Sequence, residues 1–167
     1  MTMMLEVKGL TKRFGGLLAV SAVDLAVAKG EIVSLIGPNG AGKTTVFASI
    51  SGFLKPDEGA VNLDGRSIIN LKSHKICQQG MVRTFQITQP FATLNTLENI
   101  MVGAYSITSD KNIAQLNAER VADIVGMTSL LYQTADGLTV AARKRLELAR
   151  ALATNPKLLL LDEVMAG

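Results

Sequence analysis

A chain of 167 residues, 48% hydrophobic and 19% charged, is long enough for one cored domain and too apolar to be disordered. Its net charge of +3 arises from 17 basic and 14 acidic residues that form no long block, which argues against nucleic acid as a main ligand. The single cysteine, Cys77, excludes an internal disulfide, and no run of about 18 apolar residues is present to span a membrane.

Residues 5–8 alternate apolar and polar, the period of a half-buried strand, and residues 11–16 read as a turn. Alternation returns over residues 19–27 around Asp24, and Lys29-Gly30 punctuates before an apolar, β-branched run at 32–36. That run predicts a central strand. It leads into Gly37, Pro38, Asn39, Gly40, Ala41, Gly42, Lys43, Thr44 and Thr45, which meet the pattern G-x-x-x-x-G-K-[ST]. A helix is expected from Lys43 to Ser51, ending at Gly52.

The phosphate-binding logic of this stretch is physical. Glycines let successive backbone N–H groups turn inward into an anion-binding nest. The next helix offers its unsatisfied amides and positive dipole end to the same anion. Lys43 adds a point charge for the β/γ-phosphates, and the Thr44 hydroxyl suits Mg²⁺, a hard cation that prefers oxygen. The bland alternative is a glycine-rich strand-to-helix turn.

Residues 59–63 and Asp64-Gly65 predict a hairpin, and residues 81–85 a strand ending at Gln86. From Asn95 to about Leu131 the pattern turns helical, with Asn95 and Glu98 at cap spacing. Ile113, Leu116, Val121, Ile124 and Val125 mark one face of an amphipathic helix. A helical layer inserted into an α/β core, with a boundary near Gln86, is the expectation. A further helix over 138–153 carries Leu146, Ala149 and Leu152 on its apolar side and ends at Asn155-Pro156. Four leucines at 158–161 have no one-sided period and predict a central parallel strand covered on both faces.

Two carboxylates, Asp162 and Glu163, follow that strand. Sites in open α/β sheets lie off the carboxyl ends of the strands. Asp162 is therefore a candidate for Mg²⁺ or its water shell, and Glu163 for orienting or deprotonating an attacking water. A strand-capping acidic pair on the surface is the alternative.

With these residues placed, the chain resembles the ATP-binding subunits of ABC transporters, and most closely those of branched-chain amino acid importers. Residues 37–45 look like the Walker A motif, Gln86 within Arg83-Thr84-Phe85-Gln86 like the Q-loop, and residues 158–163 like Walker B. Phe14 matches the aromatic that stacks on adenine, with a core role still open. Leu138, Thr139, Val140, Ala141 and Ala142 align with the signature Leu-Ser-Gly-Gly-Gln, and Val140 and Ala141 replace its glycines. Val164 stands where a proline is usual. The chain stops before the family's switch histidine, which His74 does not replace by position, so a C-terminally incomplete cassette is expected.

The resemblance implies an α/β P-loop NTPase (RecA-like) core with an N-terminal antiparallel β subdomain and an inserted α-helical subdomain. The implied division is residues 1–86 for the β subdomain and core, 87–137 for the helical subdomain, and 138–167 for the signature-like helix and Walker B strand. It further implies a transport-coupled ATPase using ATP and Mg²⁺. Two subunits, identical or not, would sandwich nucleotide against transmembrane permease subunits at the cytoplasmic face of the membrane. Thr44, Gln86 and Asp162 would serve the metal and Glu163 the water, while the signature-like helix would act on nucleotide held by the facing subunit. Two alternatives stay open: a nucleotide-binding or regulatory module without efficient hydrolysis, and a non-transport ABC ATPase.

Overall fold

The computed structural model describes residues 2–84 and 89–162. They divide into two compact units, residues 1–81 and 82–167, each described by itself.

The first unit is built on a four-stranded antiparallel sheet of order β2-β1-β3-β4, from β1 (Met3–Phe14), β2 (Leu17–Ala28), β3 (Glu58–Leu63) and β4 (Arg66–Ser67). The turn expected over 11–16 shrinks to Gly15 and Gly16, because Phe14 pairs with Leu17 and residues 11–14 continue the ladder. Threonine and phenylalanine favour a pleated surface, so strand pairing overrides the polar pattern. Where β1 and β2 shift register, the Asp24 carboxylate accepts the Gly9 N–H at 2.7 Å. The β3–β4 turn is Asp64-Gly65, both with positive φ (49° and 74°), the type I′ geometry whose twist suits a tight hairpin.

Leu5, Val7, Leu10, Val61 and Leu63 of the sheet are buried, as are Val46 and Ile50 of α1 (Lys43–Ile50). A six-residue helix, α2 (Ser73–Gln78), buries Ile76 and is too short to show a helical period in the sequence. The expected central strand at 32–36 is not found: the segment pairs with no described strand, and Ile32 and Ile36 are 95% and 90% exposed. Its apolar run is the composition of a strand flanked on both sides, and no described strand flanks it.

The second unit holds α3 (Thr96–Ala104), α4 (Lys111–Ile124) and α5 (Val140–Ala153) around one apolar core that includes Ile100, Val121, Met127 and Leu146. The capping box predicted at Asn95 and Glu98 is present, at 2.8 and 2.9 Å. The face predicted for α4 is largely inverted. Ala114, Ala118, Val121 and Ala122 are buried, while Ile113, Leu116 and Ile124 are exposed. Alanines let helix axes approach closely, and the ridge of small residues, not of large ones, packs against the neighbours. In the same unit β5 (Met81–Arg83) pairs with β6 (Leu158–Leu160). Only Leu160 of the four leucines is fully buried and Leu161 is exposed, so β6 is not covered on both faces by described residues.

Candidate functional site

In the first unit, residues 37–42 form a loop ahead of α1. Pro38 carbonyl accepts the Ala41 N–H at 3.2 Å, and Gly40 and Gly42 take φ of 82° and 88°. Gly42 is the N-cap of α1, so the cap carries no side-chain acceptor, and the first turn of α1 holds no acidic residue. Most helices neutralise their first amides with a Ser, Thr, Asp or Asn cap. Here they are left without one.

Lys43 opens that helix, and its ammonium donates to the carbonyls of Gly37 and Pro38 at 2.7 and 2.8 Å. The cation is thus folded across the loop. The hydroxyl-bearing Thr44 is exposed and Thr45 half-buried, while Pro38, Asn39, Gly40 and Ala41 are exposed. An uncapped helix end, a glycine loop and a lysine above it fit a phosphate ester. Phe14, at the tip of β1, is 48% exposed, and the Lys12 ammonium lies 5.7 Å from its ring centroid. A ring this exposed at a hairpin tip is open to solvent, and a core role for Phe14 is excluded by that exposure.

In the second unit, Asp162 follows β6 with its side chain 4% exposed. Its carboxylate accepts from Arg83 Nη2 at 2.8 Å, and its N–H donates to Thr84 Oγ1 at 3.3 Å. Thr84 N–H donates in turn to the Leu160 carbonyl at 3.0 Å. Gln86 and Glu163 lie outside the described residues. Arg83 carries no motif by which the sequence alone would assign it a role. The signal was there: a guanidinium at the end of a strand that begins Met81-Val82 needs a counter-charge.

The signature-like residues gather at the N-terminus of α5. Leu138 is buried, Thr139 is the N-cap with Oγ1 accepting the Ala142 N–H at 3.2 Å, and Val140 and Ala141 are exposed. Thr139 therefore spends its hydroxyl on the helix itself. Val140 and Ala141 present Cβ-bearing residues where the family's glycines would present bare backbone. The described residues hold no cluster of three or more His, Cys, Asp or Glu side chains arranged for a metal. Among them, no helix is long and apolar enough to cross a membrane.

Comparison with known proteins agrees with this chemistry. A family model described as ABC transporter matches residues 20–166. The chain is 42% identical over 178 residues to the high-affinity branched-chain amino acid transport ATP-binding protein BraF of Pseudomonas aeruginosa, covering 98% of this chain and 70% of the relative. It is 38% identical to LivG of Escherichia coli, a protein of the same description, with the same coverage. Among solved structures, the ADP conformation of MJ1267, an ATP-binding cassette of an ABC transporter, superposes with a TM-score of 0.88 at 32% identity, covering all of this chain and 71% of that one. A dimeric, post-hydrolysis state of the cassette MJ0796 bound to ADP and Pi matches with a TM-score of 0.85 at 25% identity, covering 97% and 75%. A family match across most of the chain and close relatives along nearly all of it leave one assignment: the chain belongs to the ABC transporter family, among its ATP-binding ATPase proteins.

Proposed function

We propose that the chain is the ATPase of an importer for branched-chain amino acids, the solutes named for the relatives it matches along 98% of its length. The observation that carries nucleotide binding is the uncapped N-terminus of α1 behind a loop whose lysine ammonium is already folded over it. In this reading Gly37, Pro38, Asn39, Gly40, Ala41, Gly42, Lys43, Thr44 and Thr45 bind the phosphates of ATP, and Phe14 stacks on adenine. Thr44, Gln86 and Asp162 serve Mg²⁺, which supplies charge neutralisation at the phosphates when bound. Glu163 positions the attacking water. Leu138, Thr139, Val140 and Ala141 act on nucleotide held by a second ATPase subunit, with looser clamping than glycines would give.

The partners are that second subunit and transmembrane permease subunits, which place the protein peripherally on the cytoplasmic face of the membrane. Closure of the ATPase pair around nucleotide drives the permease.

Calorimetric titration with MgATP, beside the Lys43→Ala variant, tests the phosphate loop. Removing a charge-assisted contact worth about 1.5–3 kcal/mol weakens binding by roughly 10- to 100-fold. Equal affinity in the two proteins sinks the assignment. Glu163→Gln tests the water-positioning role. Phosphate release should fall by roughly 100-fold or more, the scale of general-base catalysis, with ATP affinity retained.

A further inference from the structure

A buried carboxylate that is to serve Mg²⁺, as proposed for Asp162, needs a counter-charge. The geometry supplies one. Arg83 Nη2 lies 2.8 Å from Asp162 Oδ2, and the two side chains are only 7% and 4% exposed. Neither charge is kept that dry without the other, because desolvation of each is compensated only by a close, well-aligned partner. A guanidinium is planar and donates along fixed directions, so it fixes the orientation of the carboxylate as well as its charge; an ammonium would do only the second. The neighbouring residue ties down the backbone. Thr84 accepts from the Asp162 N–H and donates its own N–H to the Leu160 carbonyl. Residues 83 and 84 thus hold both the main chain and the side chain of residue 162.

We propose that Arg83 is a positioning residue for the metal: by holding Oδ2 it presents the remaining oxygen of Asp162, Oδ1, to Mg²⁺ or to a water bound to it. This rests on the nucleotide reading of the same aspartate. Arg83 touches neither metal nor nucleotide in this scheme and acts on the metal through Asp162. Partners that orient a metal-binding carboxylate typically change metal affinity by about 10- to 100-fold when removed.

The test uses the full chain and follows ATP binding by calorimetry at fixed ATP, with MgCl₂ varied and an EDTA baseline. Arg83→Lys keeps the charge and loses the fork. It should raise the Mg²⁺ concentration for half-maximal enhancement by roughly tenfold, and leave ATP affinity in EDTA unchanged. An unchanged Mg²⁺ requirement overturns the proposal, as does a loss of affinity that is equal with and without Mg²⁺. Arg83→Gln is then made on an Asp162→Asn background, where no carboxylate is left stranded and folding is protected. Because Arg83 acts on the metal through Asp162, the change should add nothing further to the Mg²⁺ requirement. An additional shift overturns the positioning role. Wild-type chain that binds no ATP at any Mg²⁺ concentration overturns the nucleotide reading itself, an outcome distinct from the others.

Discussion

Asn99 grips Phe91 by both of its backbone polar groups: Oδ1 accepts the Phe91 N–H at 2.9 Å, and Nδ2 donates to the Phe91 carbonyl at 3.0 Å. The same amide reaches the carbonyls of Leu94 and Asn95 at 3.1 and 3.0 Å, and Asn99 is fully buried. Arg150 adds to the anchor, stacked 4.8 Å from the Phe91 ring and donating to the Gln89 carbonyl at 3.0 Å. Asn99→Leu strands the Phe91 N–H, at about 1–3 kcal/mol, while the carbonyls of Phe91, Leu94 and Asn95 keep the N–H groups of Leu94, Ala135 and Asn99. We expect a loss of about 2 kcal/mol in urea unfolding, and a change under 1 kcal/mol would show that solvent replaces the amide.

Gly103 of α3 faces the Arg150 carbonyl of α5. A Cβ built on it would overlap that oxygen and press on Ala153 Cβ. Backbone oxygen cannot rotate away, so the helices must separate. Gly103→Ala gains about 1 kcal/mol of helix propensity and loses about 1–3 kcal/mol to overpacking. The net result should be a lower melting temperature. A higher one would mean that α3 and α5 slide apart without cost.

Thr139 caps α5 through the Ala142 N–H. Thr139→Ala should destabilise the chain by about 1 kcal/mol, and Thr139→Ser should be close to neutral, since serine caps as well. Chemical denaturation of the pair gives the answer. Two equal losses would point to the threonine methyl instead of its hydroxyl.

Asp57 accepts the Arg13 N–H at 2.6 Å and the Lys12 ammonium at 3.1 Å. The backbone hydrogen bond from Arg13, with Lys12 second, holds its carboxyl below the ordinary value of 3.8. A depressed folded-state value stabilises the folded chain above 3.8 and loses that contribution as pH falls through the lower value. Asp57→Asn should therefore flatten the acid limb of a stability–pH profile between 3.8 and that lower value. Identical acid limbs in the two proteins would mean the pairing is lost in solution.

Much of this was legible from local chemistry. The Asp64-Gly65 turn, the Asn95–Glu98 capping box and the stop of α1 at Ile50, just ahead of Gly52, are each decided by residues within a few positions of one another. What failed was decided at a distance. The α4 periodicity pointed to Ile113, Leu116 and Ile124, yet the close approach of neighbouring helices selected the alanine ridge. The 32–36 run has the composition of a central strand, but a ladder needs flanking strands and composition does not supply them. Arg83 carries no motif of its own beside Gln86. Its partner lies 79 positions away, and only the folded chain brings them together. At the candidate site, the lysine, the glycines and the aspartate stood out by spacing; the guanidinium that holds the aspartate did not.

Gly42 sits where a Cβ would come within 2.6 Å of the Ala19 carbonyl oxygen and 3.3 Å of a Val20 methyl. The phosphate loop therefore rests directly on the backbone of β2, with no side chain between to act as a cushion. A loop seated this way has surrendered its conformational freedom during folding, so little remains to be lost when an anion arrives. Ligand association should then show a small ordering entropy at this loop, and any residue larger than glycine at position 42 would lift the nest off its support and restore that penalty. The third glycine of the motif is thus a spacer between two main chains as much as a donor of its own amide.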